Sequence, residues 1–319
     1  MRFTIVGAGA LGSILGAHLI KTGHEVHLVA RGQRLAWLQE HGLQVYGLSD
    51  LQLPCSASAA IGPLGDEDIL VFAVKTYHME TALAACTAGR PRAVFSLANG
   101  VLKNDQLRTV FPPERVLGCM ANFSGELESD GRVLFTRNVA VVLGGEEPLA
   151  TDLAATIDAS GVVAASSQTI ETVEWSKFVG WAALFSLAVT TRAATGAYLS
   201  DKRCAAVGVR IVRECAAIAA AHGIALLDQS PLPVLSLAQQ SETDAIDTLQ
   251  GVGRELIRNA PRHRMSALQD VEAGRRLEVH ETLGYLVNAA AELGLAAPTL
   301  NTAYQLCGGI DALSGPTDG

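Results

Sequence analysis

The chain has 319 residues, of which 49% are hydrophobic and 18% are charged, and its formal net charge at pH 7 is −8. This length favours two domains over one, and the composition is typical of a globular protein. The negative charge and the lack of a Lys/Arg cluster argue against a nucleic-acid-binding surface.

Targeting and redox features of the sequence indicate a cytoplasmic protein. The first predicted strand begins at the N-terminus and leaves no room for a signal peptide, and the longest apolar stretch, 178–190, is too short to span a bilayer. The six cysteines show no C-x-x-C pair, and the eight histidines show no H-x-x-x-H spacing. We therefore expect reduced, buried thiols and no metal site.

The first predicted strand runs directly into a glycine-rich turn, which is followed by an apolar helical stretch. The turn reads Gly7-Ala8-Gly9-Ala10-Leu11-Gly12, and a strand, G-x-G-x-x-G and a helix in this order form the dinucleotide-binding fingerprint. Gly7 permits the tight turn, Gly9 lets the backbone approach the pyrophosphate, and Gly12 lets the helix pack close to the strand. The sequence predicts that these six residues line a bound dinucleotide at a helix N-terminus.

Strand-like and helical runs alternate through the first half of the chain. Further buried strands are predicted over 25–30, 69–74, 93–97 and 116–122, and helices over 33–40, 79–86 and 104–110. A hairpin is predicted from 132–136 and 139–143 with Arg137-Asn138 as its turn, and a short strand over 161–165. This alternation is typical of a doubly wound parallel sheet.

Ala-rich helical periodicity replaces the strand pattern after about residue 166. Helices are predicted over 170–194, 201–222, 245–258 and 277–293. We therefore expect an α/β fold in which an N-terminal Rossmann-type doubly wound sheet, 1–166, is followed by an all-helical domain, 167–319. In such folds a ligand binds at the carboxyl ends of the strands, so the active site is expected in the cleft between the domains.

The end of the second strand predicts which dinucleotide binds. A site that prefers NAD places an acidic residue there to bind the ribose 2′-OH, whereas this strand ends Val29-Ala30-Arg31-Gly32. A guanidinium at Arg31 suits a 2′-phosphate, with Arg34 as a second cation, so NADP(H) is the predicted cofactor. The alternative is that Arg31 only caps the strand at the surface.

Five polar residues lie at the ends of predicted elements or on the first helix of the second half. They are Lys75, Asn99, Lys177, Ser266 and Glu278. Spacing alone does not single them out, because a lysine after a strand or on an amphipathic helix is usually solvated.

Taken together, these residues resemble the ketopantoate reductase family (2-dehydropantoate 2-reductase), and the likeness runs over nearly the whole chain. The matching segments, in order, are Gly7-Ala8-Gly9-Ala10-Leu11-Gly12-Ser13, Ala73-Val74-Lys75-Thr76-Tyr77, Asn99-Gly100-Val101, Trp175-Ser176-Lys177-Phe178, Ser266-Ala267-Leu268-Gln269-Asp270 and the tail Glu292-Leu293-Gly294-Leu295-Ala296-Ala297-Pro298-Thr299. This set in this order is specific to the family.

The resemblance implies NADPH-dependent reduction of a 2-oxo acid to a 2-hydroxy acid. Lys177 is then the general acid that protonates the developing oxyanion, and Glu278 orients the lysine or the cofactor ribose. By the same resemblance, Ser266 binds the substrate carboxylate and Asn99 positions the nicotinamide and the substrate. Lys75 contacts the cofactor end of the cleft.

The assignments of Ser266 and Glu278 require the helix between them to be interrupted. Ser266 and Glu278 are twelve residues apart, which on one helix places them about 120° from a common face. A break near Gly274 is therefore predicted.

The chain departs from the family on the lysine helix. The family usually carries two substrate-binding asparagines one and two turns after the lysine, and this chain has Trp181 and Phe185 there. Lys177, Trp181 and Phe185 share one helix face. The two rings either line the substrate site or pack in the helical core. A second departure follows Glu278, where the sequence reads Val279-His280-Glu281.

The expected function is ketopantoate reduction in pantothenate and coenzyme A biosynthesis. Two alternatives stay open: a relative of D-2-hydroxy acid dehydrogenase type acting on a bulkier apolar or aromatic 2-oxo acid, and a non-catalytic NADP(H) sensor. The partner is a small-molecule 2-oxo acid, with a homodimer as an open possibility and no nucleic acid or membrane.

If Trp181 and Phe185 line the substrate site, replacing both by Asn should shift kcat/KM toward ketopantoate. The reason is that the variant regains amides able to bind the substrate hydroxyl. Steady-state kinetics with ketopantoate and an aromatic 2-oxo acid measure this ratio, and an unchanged ratio would show that the rings are packing residues.

Overall fold

The computed structural model describes residues 1–86 and 89–314, and the chain divides into two compact units. The first unit is Met1–Ile170, and the second begins at Glu171. We propose 1–166 and 167–319 as the domain limits, because the last strand of the first unit ends at Ser166.

The first unit alternates strands and helices. Its elements are β1 (Arg2–Val6), α1 (Ala10–Lys21), β2 (Glu25–Val29), α2 (Gly32–His41), β3 (Leu43–Gly47), β4 (Leu51–Leu53), β5 (Ser56–Ser58), β6 (Asp68–Phe72), α3 (Met79–Ala84), β7 (Ala93–Ser96), α4 (Leu102–Arg108), β8 (Gly118–Leu127), β9 (Val133–Gly144), α5 (Leu149–Ser160) and β10 (Ala164–Ser166). Short 3-10 turns occur at Thr76–His78 and Pro113–Arg115.

Five of these strands form an entirely parallel sheet with the order β5-β2-β1-β6-β7. The chain first extends the sheet to one side of β1 and then returns to the other side, so the strand order reverses between β1 and β6. Every residue of β6 is buried, as expected for a strand covered on both faces. The predicted doubly wound sheet is confirmed. In such sheets ligands bind where the strand order reverses, which here is at the ends of β1 and β6.

A second sheet, which the sequence pattern did not reveal, has the order β10-β9-β3-β4, with β8 antiparallel to β9. The predicted hairpin with a turn at Arg137-Asn138 is wrong, because both residues lie inside the continuous strand β9. Arg137 Nη1 donates to Asn122 Oδ1 at 3.1 Å, and Asn138 Nδ2 donates to the Gly161 carbonyl at 3.0 Å. Hydrogen bonds within the fold thus satisfy polar side chains that a turn would have left to solvent.

Helix α1 lies between the two sheets, and its residues from Gly12 to Leu19 are all buried. A Cβ atom at Gly16 would lie 3.3 Å from Leu28 and 3.5 Å from Ile5, both in the parallel sheet, and 3.6 Å from Leu43 of the second sheet. A helix covered on all sides is expected to be apolar all round. The polar exceptions are Ser13, whose Oγ donates to the Ala8 carbonyl, and His18. The pKa of His18 is lowered by burial, and its ring nitrogens contact the Ser160 carbonyl and Ser49 Oγ.

The second unit is helical. Its elements are α6 (Ile170–Thr191), α7 (Thr195–Ser200), α8 (Lys202–Ala221), α9 (Val234–Gln239), α10 (Glu242–Asn259), α11 (Ser266–Glu272), a π-helical turn (His280–Gly284), α12 (Tyr285–Glu292) and α13 (Pro298–Ser314). Among its described residues the only β pairing is an isolated bridge between Gln229 and Leu232. No helix in the described part of the chain is long and apolar enough to cross a membrane.

The segment between Ser266 and Glu278 shows the predicted break. Helix α11 ends at Glu272, and Gly274 takes a left-handed conformation with φ +61°. The helix predicted over 277–293 begins later than expected, with the π-helical turn at His280. Ser266 and Glu278 therefore lie on separate segments.

The first residues of β1 and β6 are joined by an ion pair that should make stability pH-dependent. Asp68 is buried, accepts from the Arg2 guanidinium, and also accepts from the Gly65 N–H at 2.6 Å. The hydrogen bond from Arg2 is the main cause that lowers the pKa of Asp68. A depressed carboxyl pKa adds stability above the unfolded-state value of about 3.9, and this stability is lost as pH falls through the folded-state pKa.

Replacing Asp68 by Asn should therefore lower the free energy of unfolding at pH 7, and the difference from wild type should shrink as the pH falls below 4. Urea denaturation at pH 7, 5, 4 and 3 measures this difference. Asp105→Asn, which removes an exposed carboxylate paired with Arg108, is the matched control. A difference that stays constant with pH would contradict the assignment.

Candidate active site

The glycine-rich turn brings three backbone segments into close contact. Gly7 has φ +107°, and a Cβ atom there would lie 2.8 Å from the Ala73 carbonyl carbon, just after β6. A Cβ atom at Gly12 would lie 2.1 Å from the Gly7 carbonyl oxygen. Real Cβ atoms do not approach that closely, so the end of β1, the start of α1 and the segment after β6 can meet only because both residues are glycine.

The same turn has the features that a dinucleotide phosphate requires. A Cβ atom at Gly9 would meet no described atom within 4 Å beyond its neighbours in the turn. In the described part of the chain, the N–H groups of Ala8 and Gly9 donate to no acceptor. Open space and available N–H donors at a helix N-terminus fit a phosphate group. The predicted cofactor residues Ala10 and Leu11 form the first turn of α1.

The two arginines after β2 have different surroundings. Arg31 is exposed and precedes the first residue of α2, at the carboxyl end of β2. Arg34 points into the fold and donates to Ala8, Ser13 and Gly131. Arg31 thus lies at the end of the second strand, and its contact with a 2′-phosphate stays a prediction, whereas Arg34 uses three of its five N–H donors on the protein itself.

Lys75 and Asn99 follow β6 and β7, at the carboxyl edge of the parallel sheet, and both side chains are half-buried. The Lys75 carbonyl accepts from the His78 N–H at 2.9 Å and so begins the 3-10 turn. Because both residues follow neighbouring strands, the structure brings them to the same edge of the sheet as Gly7.

Sequence reasoning missed Lys103, which lies under the Asn99 segment. Its side chain is 4% exposed, and Nζ donates to the Ala98 carbonyl at 3.0 Å and to the Cys119 carbonyl at 2.6 Å. The ammonium therefore fixes the backbone beside Asn99 to the start of β8. The one signal in the sequence was a lysine directly before the helix predicted over 104–110, at a helix N-terminus where the dipole disfavours a cation.

In the second unit, Lys177 is half-buried on α6. Trp181 and Phe185, on the same face, are 5% and 1% exposed, and their ring centroids lie 4.7 Å apart. Phe178 joins them with its ring centroid 6.3 Å from that of Trp181. These contacts describe a packed aromatic stripe beside the lysine.

The residues on either side of Gly274 differ in burial. Ser266 is exposed at the first position of α11, whereas Glu278 is 5% exposed and lies just before the π-helical turn. The ring centroid of Tyr285, directly after that turn, lies 6.4 Å from those of Trp175 and Phe178 on α6. The segment after Glu278 thus packs on the lysine helix, and π-helical turns frequently occur at functional sites.

Comparisons with known families match both halves of the chain. The model described as "Ketopantoate reductase PanE/ApbA" matches residues 3–147, and "Ketopantoate reductase PanE/ApbA C terminal" matches residues 169–311. The chain belongs to the ketopantoate reductase family. The 2-dehydropantoate 2-reductase of Archaeoglobus fulgidus is 29% identical, with 98% of each chain covered.

Solved structures agree with this membership. A PanE/ApbA family ketopantoate reductase from Ralstonia eutropha JMP134 has a TM-score of 0.82 at 26% identity and covers 98% of this chain and 99% of its own. A ternary structure of D-mandelate dehydrogenase with NADH and anilino(oxo)acetate has a TM-score of 0.84 at 21% identity, covers 98% of this chain and 99% of its own, and shows the fold alone. As a family member, the protein is an oxidoreductase that acts on CH–OH groups, with a nicotinamide cofactor and a small oxo-acid substrate.

Replacing Lys103 by Met should lower both stability and activity. Two buried carbonyl groups lose their charged donor, which costs about 1–3 kcal/mol of the free energy of unfolding. Without this contact the Asn99 segment is less firmly held, so kcat should fall as well. Urea denaturation and steady-state kinetics measure both effects, with the exposed Lys21→Met as the control. Wild-type values in both assays would contradict the role of Lys103.

Proposed function

We propose that the protein is an NADPH-dependent 2-dehydropantoate 2-reductase, which reduces ketopantoate to pantoate. The observation that carries this proposal is that both family models match, one over each half of the chain. The 29% identical relative from Archaeoglobus fulgidus bears that name and is covered almost from end to end, which supports the substrate assignment. In this role the protein serves pantothenate and coenzyme A biosynthesis.

A nicotinamide held by the glycine-rich turn would supply a hydride to the keto carbon of the substrate, and negative charge would then develop on the keto oxygen. In the proposed mechanism Lys177 Nζ donates a proton to that oxygen. Glu278 orients the ammonium or the cofactor ribose, and its burial limits the positions its side chain can take. Ser266 binds the substrate carboxylate through its exposed hydroxyl.

The first unit holds the cofactor in this proposal. Gly7, Gly9 and Gly12 shape the turn against which the pyrophosphate lies, and the N–H groups of that turn donate to it. Lys75 and Asn99 contact the nicotinamide end, because both stand at the carboxyl edge of the sheet. Arg31 binds the ribose 2′-phosphate through its exposed guanidinium.

A second candidate substrate class is a bulkier apolar or aromatic 2-oxo acid. The aromatic stripe of Trp181 and Phe185 favours it, because the two rings occupy the positions where the family usually carries substrate-binding amides. The burial of both rings supports the packing alternative and therefore ketopantoate.

One experiment separates these substrates: NADPH oxidation followed at 340 nm with ketopantoate and with a panel of aromatic and branched 2-oxo acids. The proposal expects the highest kcat/KM with ketopantoate. A higher value with an aromatic or branched acid would overturn the ketopantoate assignment and favour the second class.

Replacing Lys177 by Ala should abolish most of the turnover without weakening cofactor binding. The variant loses its proton donor, and general acid catalysis contributes roughly 10²–10⁴-fold to kcat. Stopped-flow or steady-state rates measure the loss, and NADPH fluorescence titration measures the dissociation constant. Lys202→Ala, at an exposed lysine of the same unit, is the control. Full activity in the Lys177 variant would contradict the assigned role.

Replacing Arg31 by Ala should weaken NADPH binding selectively. Removing a charge-assisted hydrogen bond costs about 1.5–3 kcal/mol, which is roughly a 10- to 150-fold increase in Kd. The Kd for NADH should not change, because NADH has no 2′-phosphate. Fluorescence titration with both nucleotides tests this. An equal increase in both Kd values would show that Arg31 does not bind the 2′-phosphate.

A further inference from the structure

The guanidinium of Arg34 joins helix α2 to two segments that are distant in the sequence, residues 8–13 and the turn at Gly131. Nε donates to the Ala8 carbonyl at 2.8 Å, and Nη2 donates to Ser13 Oγ at 2.8 Å. Nη1 donates to the Gly131 carbonyl at 2.6 Å, in the turn between β8 and β9. Ser13 Oγ in turn donates to the Ala8 carbonyl at 3.1 Å, so Ala8 O accepts two hydrogen bonds. One side chain therefore ties the glycine-rich turn and α1 to the second sheet.

The indole of Trp37 fixes the guanidinium in this position. Arg34 Cζ lies 5.0 Å from the Trp37 ring centroid, within cation–π distance. Gly131 has φ +85°, and a Cβ atom there would lie 2.3 Å from Trp37, so only glycine allows the turn to approach. Burial lowers the pKa of Arg34 to about 10, which still leaves it charged at neutral pH.

The hydrogen bond to Ala8 fixes the orientation of a peptide group that faces the phosphate site. In a planar trans peptide the C=O and N–H bonds point in opposite directions. Because Arg34 holds the Ala8 carbonyl oxygen on one side, the Gly9 N–H of the same peptide points to the other side. That is the N–H which has no acceptor among the described residues and which lies beside the open space at Gly9.

We propose that Arg34 is a positioning residue for the dinucleotide phosphates, which it serves by holding the Ala8–Gly9 peptide with its N–H directed at the pyrophosphate. The inference rests on the proposed function as far as the protein binds a nicotinamide dinucleotide. It differs from the assignment of Arg31, because the pyrophosphate is common to NADPH and NADH whereas the 2′-phosphate belongs to NADPH alone.

The test compares Kd values for NADPH and NADH, by fluorescence titration, in Arg34→Met, Arg31→Met and Arg108→Met. Met keeps much of the side-chain volume and removes the donors. Arg108, an exposed residue of the same unit, is the matched control and should leave both Kd values unchanged. Arg34→Met should raise both Kd values by a similar factor, roughly tenfold for the loss of hydrogen bonds from a charged group. Its kcat at saturating NADPH should stay near wild type, because only cofactor binding depends on the turn.

Three results would overturn the inference: unchanged Kd values in Arg34→Met, an increase confined to NADPH, or a lower kcat at saturating cofactor with unchanged Kd values. Circular dichroism checks that Arg34→Met folds. If it does not fold, the Kd values of Ser13→Ala test the inference instead. That variant removes one acceptor of Arg34 and one donor to Ala8, so it should raise both Kd values by a smaller, equal factor, and unchanged values would overturn the inference. Wild-type protein that binds neither nucleotide would instead overturn the proposed function, and this inference with it.

Discussion

The Gly7 carbonyl oxygen and the α-carbon of Gly12 lie so close together that no side chain fits between them. This contact sets the angle at which α1 leaves β1, and α1 in turn fills the space between the two sheets of the first unit. The packing of α1 against both sheets therefore depends on the close contact between Gly7 and Gly12. The same contact leaves the N-terminus of α1 at the carboxyl edge of the parallel sheet, which is where the dinucleotide is proposed to bind.

Two cations hold the surroundings of this turn through backbone carbonyl groups. Lys103 joins the segment before Asn99 to the start of β8, and Arg34 joins the glycine-rich turn to the turn that follows β8. Strand β8 is thereby fixed at both ends to the carboxyl edge of the parallel sheet. Partly or fully buried charges are costly unless they are hydrogen-bonded, and here each has two or three acceptors. Each cation supports a segment that has a proposed role in binding.

Sequence reasoning predicted the parallel sheet because its strands are short apolar runs between helices, and it predicted the break at Gly274 because two functional positions had to face one way. It failed for the second sheet, since Gln44 and Gln52 interrupt the apolar residues of β3 and β4, and β9 carries Arg137 and Asn138 in its middle. A polar pair in a strand looks like a turn until its partners, which are remote in sequence, are known.

The residues of the candidate site likewise differ in whether local sequence pattern could identify them. The fingerprint glycines follow from local pattern, whereas Lys177, Ser266 and Glu278 were singled out by resemblance, and their roles remain proposals. Lys103 escaped notice, and Arg34 was expected at the 2′-phosphate instead of inside the fold, because a cation in a helix normally indicates a solvated surface. Apart from Ser13 Oγ, the acceptors named for Arg34 and Lys103 are backbone carbonyls, one of them 97 residues away from Arg34, and no residue-type pattern reports such partners.

The turn between β8 and β9 is constrained in a way that surface hairpins usually are not. Hairpin turns are ordinarily the places where related proteins differ in length, since inserted residues extend into solvent. In this turn the Gly131 carbonyl accepts a hydrogen bond from Arg34, and the α-carbon of Gly131 faces the indole of Trp37. An insertion or deletion here would displace the guanidinium from Ala8, so the length of this turn should evolve together with residues 34 and 37 of α2.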